Sequence, residues 1–272
     1  MNRSEKADMV AMRKGLASLF DRRNPDAENP CAGPETPRPE RSFVAIGDIH
    51  GRADLLHEID RLIEARCPDW PVVFLGDYVD RGEQSRDVLD MLMSVPPDRE
   101  PQVTCLMGNH ERMLLDFLDT PRQAGLRWLR TGGLQTLAGF GIAPPWRDRP
   151  GDEALRDLAA RLAEAMGAEM IAWLRARPVV WNSGNVWAVH AGADPALPMT
   201  EQAADTLIWG HPAFHRHPRT DGQWVVHGHT VVAHPQARAG RVSVDTGAYA
   251  TGCLSAALIS EDGVSFLQTG RN

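Results

Sequence analysis

Five short motifs in this sequence set an acidic, amide or imidazole side chain beside a glycine, each directly after a strand-length apolar run. Ligands of parallel sheets bind at the carboxyl ends of the strands, so we expect the five motifs to meet at one place. A single Asp or His in such a position is more often a helix cap or a packed side chain, but five in one chain favour a shared site. The motifs are Gly47-Asp48-Ile49-His50-Gly51, Gly76-Asp77-Tyr78-Val79-Asp80-Arg81-Gly82, Gly108-Asn109-His110-Glu111, His190-Ala191-Gly192 and Gly228-His229-Thr230.

The side chains of these motifs are typical ligands of divalent transition metals. They offer carboxylate, imidazole and amide groups without a thiolate, a set that suits Mn²⁺, Fe²⁺ or Zn²⁺. Six ligands are too many for one catalytic ion, and they suffice for two if a carboxylate is shared. We therefore predict two divalent metal ions as cofactors, Mn²⁺ first, with Fe or Zn as alternatives, and a hydroxide between them for in-line displacement at phosphorus. The six candidates are Asp48, His50, Asp77, Asn109, His190 and His229.

The motifs GDIHG, GDYVDRG, GNHE, HAG and GHT, in this order, resemble the phosphoprotein phosphatase branch of the calcineurin-like metallophosphoesterases, in particular bacterial and phage Ser/Thr protein phosphatases. The resemblance runs from about residue 42 to residue 250. It implies an α/β (α+β) fold, a four-layer αββα sandwich of two mixed sheets flanked by helices. It also implies that Asp48, His50 and Asp77 hold the first metal. Asp77, as the bridge, then holds the second with Asn109, His190 and His229.

The resemblance further assigns catalytic roles beside the metals. His110 resembles the family's general acid, and Asp80 resembles the carboxylate that orients it. A cationic imidazole would protonate the leaving alkoxide, and the neighbouring carboxylate is expected to raise its pKa. Arg81 would hold two phosphate oxygens with its guanidinium. The alternative for Asp80 and Arg81 is a local salt bridge that caps the next helix.

Two positions depart from the family pattern where phosphate-binding arginines are expected. The first position lies directly before GNHE and is Met107 in this chain. The second is the last residue of a Leu-Trp-x-Arg pattern, which here reads Ile208-Trp209-Gly210-His211. A hydrogen bond to a charged group contributes about 1.5–3 kcal/mol, so phosphate binding should be weaker unless another group substitutes. We expect protonated His211 or Arg216 to be that group.

Four other features have predicted roles. Tyr249 borders the substrate, and Asp245 is a partner of a ligand histidine, because such histidines donate their second N–H to a carboxylate or carbonyl. His227 is a packed residue bonded to a carbonyl. The histidines of the 211–217 loop form a solvated loop rather than a third metal site.

The sequence thus predicts a metal-dependent phosphomonoester hydrolase, with a Ser/Thr protein phosphatase as the first interpretation and His110 as general acid. Its expected partner is a phosphorylated protein or peptide. One alternative is a symmetrical dinucleoside tetraphosphate (Ap4A) hydrolase or another small-molecule phosphoesterase. A second is a pseudo-phosphatase that binds phosphorylated partners without hydrolysing them.

Apolar runs and amphipathic segments predict the elements that position these motifs. Runs at 43–46, 72–75 and 103–106, each followed by a helical pattern, predict βαβ units with a mostly parallel sheet. Residues 121–150 are predicted as turns, and 154–176 as one long helix. The second half has strand-like runs at 179–181, 186–190, 224–227, 242–245, 254–259 and 264–267.

Composition limits the classes of protein to which the chain can belong. Its 272 residues, 43% hydrophobic and 24% charged, are typical of a globular domain, and no apolar run could span a membrane. The net charge of −7, without a basic block, argues against a nucleic-acid partner, and no membrane partner is expected. Scattered cysteines without a CxxC pair indicate a cytoplasmic protein.

We predict a flexible tail or linker over 1–41, because 23–40 contain five prolines, and a catalytic domain over 42–270. The oligomeric state is left open.

Overall fold

The structure is a computed structural model that describes residues 36–96, 99, 102–143 and 150–270. The first 35 residues of the predicted tail (1–41) therefore lie outside the described residues. Within its last part, the backbone N–H of Arg38 donates to Asn185 Oδ1 (2.6 Å) and that of Arg41 to Ser183 Oγ (3.1 Å). These bonds join residues 38–41 to the hairpin at 183–185.

Ten strands in the described residues form two five-stranded mixed sheets. The strands are β1 (Phe43–Ile46), β2 (Val72–Phe74), β3 (Val103–Cys105), β4 (Val180–Ser183), β5 (Val186–Val189), β6 (Trp224–His227), β7 (Gln236–Arg238), β8 (Arg241–Ser243), β9 (Ser255–Ser260) and β10 (Gly263–Gln268). The first sheet has the order β10-β9-β1-β2-β3, and the second has the order β4-β5-β6-β8-β7. Strands β1, β2 and β3 are mutually parallel, as are β5, β6 and β8, and the remaining pairs are antiparallel.

Helices lie between and beside these strands. The α-helices are α1 (Ala53–Arg66), α2 (Ser85–Met93), α3 (Asn109–Asp119), α4 (Pro121–Trp128), α5 (Leu134–Gly139), α6 (Asp152–Arg175), α7 (Ala204–Trp209) and α8 (Ala248–Thr251), with a π-helical segment at Leu129–Gly133 and a 3₁₀ turn at Met199–Glu201. Because α1 connects β1 to β2 and α2 connects β2 to β3, the predicted βαβ units are confirmed.

Strand β1 shows how the sheets are packed on both faces. Successive side chains of a strand point to opposite faces. Val44 and Ile46 join a buried cluster with the helical residue Ile59, whereas Phe43 and Ala45 lie in a second cluster. That second cluster also contains apolar side chains of β6 and β8, so it fills the space between the two sheets. Helices cover the outer faces, which confirms the predicted four-layer αββα architecture.

Residues 121–150 differ from the prediction of turns, because α4, the π-helical segment and α5 occupy 121–139. Pro121 stands at the start of α4, where its missing N–H costs no hydrogen bond. Gly132 has a φ of 121°, and a Cβ there would lie 2.7 Å from the backbone nitrogen of Arg81. Because residue 132 has no Cβ, this helical region can lie close to the backbone of Arg81.

Two other predictions are corrected in detail. The helix expected over 154–176 begins at Asp152 and ends at Arg175, and Gly167 interrupts it with φ 78° and ψ 159°. Strand β7, at Gln236–Arg238, is exposed on every residue, so it has no apolar pattern from which it could be predicted. Among the described residues, no helix is both long and apolar enough to cross a lipid bilayer.

Candidate metal centre and active site

The loops that follow β1, β2, β3, β5 and β6 meet around the carboxylate of Asp77. Its Oδ2 lies 3.5 Å from His50 Nε2, and its Oδ1 lies 3.4 Å from His190 Nε2. The two oxygens of one buried carboxylate thus face two different histidines, as a shared ligand of two ions must.

Two groups of possible ligand atoms share Asp77. In each group these atoms lie within 4.8 Å of one another, and the groups are His50, Asp77, His110 and Asp77, His190, His229. Asn109 joins the second group, because its Oδ1 lies 2.8 Å from His190 Nε2 and 2.7 Å from His229 Nδ1. Asp48 lies beside the first group, with its Oδ2 4.0 Å from His50 Nε2. The structure therefore brings together all six predicted ligand residues, with His110 as an additional neighbour.

Hydrogen bonds to backbone carbonyls reveal which imidazole nitrogens carry lone pairs. His50 Nδ1 donates to Val79 O (2.8 Å), and His190 Nδ1 donates to Leu75 O (2.9 Å). In a neutral imidazole the other nitrogen is then an acceptor. His50 Nε2 is buried, has no hydrogen-bond partner and faces carboxylate oxygens, and His190 Nε2 faces the amide oxygen of Asn109. Lone pairs that converge without a proton between them fit a metal cation.

Burial favours the neutral forms of these groups. It lowers the pKa of His50 and His190 well below the usual imidazole range, and nearby imidazoles lower both further. Burial also raises the pKa of Asp48 and Asp77 well above the usual range, and the neighbouring carboxyls Asp245 and Glu111 respectively raise them further. Buried carboxyls packed against one another need a compensating cation, which agrees with the lone-pair geometry.

Backbone strain in the described residues is concentrated at this site. Six non-glycine residues have positive φ, and only Ala239 (51°) lies outside the five motifs. The others are His50 (47°), Asp77 (56°), Asp80 (71°), Arg81 (67°) and His229 (60°). Such conformations are uncommon for residues with a Cβ and persist where the surrounding structure holds them.

Glu111 holds the strained Asp77 loop in place. Its carboxylate is fully buried. Oε2 accepts the backbone N–H of Asp77 (2.8 Å) and of Gly108 (3.0 Å), while Oε1 accepts that of Tyr78 (2.7 Å) and of Val79 (3.2 Å). One side chain therefore joins the loop after β2 to the start of α3. A Cβ at Gly108 would overlap Asp77 Oδ1, so this position also requires glycine.

His110 is hydrogen-bonded to Asp80, the residue expected to orient it. Its Nδ1 lies 2.7 Å from Asp80 Oδ2, and both side chains are buried. Asp80 also accepts hydrogen bonds from Thr136 Oγ1 (2.7 Å) and from Trp128 Nε1 (3.1 Å to each oxygen). The Asp80 carboxylate is thus held by His110, Thr136 and Trp128, and not by the local salt bridge with Arg81 that was the alternative.

Arg81 and Tyr249 border the same imidazole. Arg81 Nη2 lies 3.2 Å from His110 Nε2, and the Arg81 guanidinium lies 4.7 Å from the centre of the Tyr249 ring. The Tyr249 ring in turn packs edge-on against His50, with ring centres 5.3 Å apart. The predicted position of Tyr249 at the edge of the site agrees with this geometry.

The expectation of a raised His110 pKa is wrong for this arrangement. Burial, together with smaller contributions from the charges of Arg81 and His229, lowers the pKa of His110 to about 3. Burial also raises the pKa of Asp80 to about 7, against the hydrogen bonds from Thr136 and Trp128. A guanidinium can only donate, so His110 Nε2 accepts from Arg81 and the Nδ1 proton is donated to Asp80. The imidazole is therefore neutral here, in the Nδ1–H tautomer.

Other predicted positions have different outcomes. Met107 is buried in the core, and its N–H bonds to Pro178 O (2.8 Å). His211 lies 3.8 Å from Asp194, and no described contact joins it to Arg81 or His110. In the contacts described, neither Met107 nor His211 provides a cation beside Arg81 that could bind phosphate.

Two polar residues beside the centre, Asp245 and His227, complete this part of the site. Asp245 accepts the backbone N–H of Gly247 (2.8 Å), and its charge raises the pKa of Asp48. Among the described residues no hydrogen bond joins Asp245 to a ligand histidine, and His50 and His190 donate their second N–H to backbone carbonyls. His227 Nδ1 lies 3.0 Å from Gly228 O, which confirms its role as a packed residue, and its Nε2 lies 2.9 Å from Ser243 Oγ.

Comparison with known proteins agrees with this geometry. A family model described as calcineurin-like phosphoesterase matches residues 41–233. A Schizosaccharomyces pombe protein, assigned by name as a serine/threonine-protein phosphatase, is 46% identical over 69 residues. That match covers 25% of this chain and 22% of the yeast protein, so it spans only a small part of the relative.

Solved structures share the fold at low sequence identity. A protein assigned as a diadenosine tetraphosphatase has a TM-score of 0.59 at 18% identity, over 86% of this chain and 96% of that one. A cold-active protein-tyrosine phosphatase from a Shewanella species has a TM-score of 0.57 at 17% identity, over 84% and 80%. A Saccharomyces cerevisiae protein serine/threonine phosphatase has a TM-score of 0.53 at 14% identity, over 85% and 80%.

Proposed function

Because this chain belongs to the calcineurin-like phosphoesterase family, a family of metal-dependent phosphoester hydrolases, we propose that it hydrolyses phosphoserine and phosphothreonine in proteins or peptides. The observation that supports this most is the meeting of Arg81 Nη2 and His110 Nε2, 3.2 Å apart, beside the shared carboxylate of Asp77. A phosphate-binding cation and a proton-transfer group thus lie next to the candidate metal centre.

The residues of the centre fit two divalent cations that share Asp77, with Mn²⁺ as the first candidate. Asp48 and His50 would complete one site, and Asn109, His190 and His229 would complete the other. Bound divalent cations would supply Lewis acidity to the phosphoryl oxygens and lower the pKa of the attacking water.

The protein's own groups bind the phosphate and move a proton. Arg81 would donate to two phosphate oxygens, which releases His110 Nε2 from its present hydrogen bond. Burial and, to a smaller extent, Arg81 lower the His110 pKa, and a dianionic phosphate bound beside Arg81 adds negative charge that opposes both, so the imidazole can take up a proton at Nε2. Asp80 then stabilises the imidazolium through the Nδ1 hydrogen bond, and Nε2 delivers its proton to the leaving alkoxide oxygen.

Two features support a phosphoprotein over a dinucleoside polyphosphate as substrate. The intact Asp80, Arg81 and Glu111 match the protein phosphatase pattern, and the yeast relative is named as a phosphatase of that class. The Ap4A hydrolase alternative is favoured by Met107 and His211, which stand where phosphate-binding arginines are expected.

Turnover of matched substrates tests the proposal. The purified chain would be stripped with a chelator, reloaded with Mn²⁺ and assayed with a phosphoserine peptide and with diadenosine tetraphosphate. We expect kcat/KM to be higher for the peptide and the Asp77→Asn variant to be inactive on both. A higher kcat/KM for diadenosine tetraphosphate would favour the alternative, and no turnover of any phosphoester would favour a phosphoprotein-binding role.

A further inference from the structure

A cavity of about 920 Å³ opens beside Arg81 and Tyr249. Its other wall is the helical region from Leu126 to Gln135, where the sequence predicts only turns. The backbone N–H of Arg81 donates to Gly132 O (3.2 Å), so this wall is fixed to the residue that borders the phosphate position. The cavity is therefore continuous with the candidate active site, and it is much larger than a phosphate group needs.

The wall combines apolar surface with one cation. Leu126, Leu129 and Leu134 line it, and Leu134 is 47% exposed. Arg130 is exposed on the same wall and, among the residues that the structure describes, has no ion-pair partner. By contrast, Arg127 packs over the ring of Trp209 at 4.7 Å. Of the cavity-lining residues that the structure describes, none is acidic, although the chain has a net charge of −7.

We propose that this cavity binds the polypeptide that flanks the phosphorylated residue, and that Arg130 selects an acidic side chain in it. The inference rests on the proposed function and names its substrate class: acidic phosphopeptides with an apolar residue for the leucine-lined surface. An exposed cation on a rigid wall attracts an opposite charge modestly, in a salt-dependent way.

The same wall is poorly suited to a dinucleoside polyphosphate. Four linked phosphates require several cations, and beyond the candidate metal centre the described lining offers Arg130 and Arg81 alone. A base would need an aromatic face, whereas the Tyr249 ring already packs against Arg81 and His50. Leucine side chains and a single cation correspond better to a short peptide segment.

Phosphoserine peptides that differ at one flanking position test the inference. A set would scan Glu, Ala and Lys through the three residues on each side of the phosphoserine. For the parent chain we expect at least one position at which Glu lowers KM about three- to fivefold relative to Lys, with kcat unchanged. Arg130→Glu should reverse this preference, Arg130→Lys should retain it, and high salt should reduce it. Arg61→Glu, on the exposed face of α1, is the matched control and should leave the preference unchanged.

The outcomes separate this inference from the proposed function. Peptide hydrolysis without any Glu preference, or an Arg130→Glu loss that is equal for Glu and Lys peptides, would overturn the inference and leave the proposed function intact. A drop in diadenosine tetraphosphate turnover in Arg130→Glu, with peptide preference unchanged, would assign the cavity to a nucleotide instead. Absence of all peptide hydrolysis would overturn both.

Discussion

Replacement of Glu111 by Gln should strongly destabilise the protein. The Glu111 carboxylate accepts four backbone N–H groups, two from Asp77 and Gly108 on Oε2 and two from Tyr78 and Val79 on Oε1. In Glu111→Gln one oxygen becomes an NH₂ group, which cannot accept. Whichever way the amide is turned, two buried N–H donors lose their acceptor and face another donor.

The size of the effect follows from these contacts. A buried donor left without a partner costs about 1–3 kcal/mol, so two such donors cost about 2–6 kcal/mol, and we expect a loss of about 4 kcal/mol in the free energy of unfolding. That is a large part of the roughly 5–15 kcal/mol that stabilises a typical domain. Because the same bonds hold the strained Asp77 loop, metal affinity should fall as well.

Chemical denaturation followed by far-UV circular dichroism measures this loss, in chelator so that folding is separated from metal binding. The matched control is Glu83→Gln, an exposed glutamate three residues after Asp80, for which we expect a change within about 0.5 kcal/mol. If Glu111→Gln unfolds with the same free energy as Glu83→Gln, the four hydrogen bonds do not hold the loop and the reasoning is wrong.

Three further predictions concern the His110–Asp80 pair. His110→Asn should lower turnover of an alkyl phosphate by about 100-fold or more, and that of p-nitrophenyl phosphate far less, because nitrophenolate leaves without a proton; equal losses would exclude the acid role. Thr136→Val removes a hydrogen bond that favours ionised Asp80, so it should raise the Asp80 pKa and move the acidic limb of the kcat profile to higher pH. Thr136→Ser should restore the profile, and an unmoved limb in Thr136→Val would contradict the link. Burial raises the pKa of Asp80 from 3.8 to about 7, so folding takes up a proton between these values. The resulting stabilisation is complete below pH 4 and is lost as pH rises through 7. In chelator, Asp80→Asn should therefore remove a decline of about 1.4 kcal/mol per pH unit in the free energy of unfolding, and an unchanged slope would count against a raised pKa.

The parts of the fold and site that the sequence predicts are those encoded locally. Asp48, Asp77 and His190 each follow an apolar strand directly, so a few adjacent residues specify both the strand and the group that it positions. Because parallel strands end at one edge of a sheet, these local signals also predict that the groups meet.

What the sequence does not predict depends on contacts between distant segments. Trp128 and Thr136 hydrogen-bond to Asp80 from a helical region. The sequence of that region predicts turns because of its glycines. Nothing in their neighbourhood in the chain marks them as partners of Asp80. The neutral state of His110 has the same origin, since it follows from burial and from Arg81 rather than from the adjacent motif.

Metal content measured together with activity tests the central claim most directly. The account predicts that the parent chain, stripped and reloaded, binds about two divalent ions, loses hydrolysis in chelator and regains it with Mn²⁺. Asp77→Asn should bind at most one ion and remain inactive, whereas Asp69→Asn, an exposed control, should behave as the parent. Full phosphoester hydrolysis by a chain that retains no metal, or unchanged metal binding in Asp77→Asn, would contradict a centre built around this shared carboxylate.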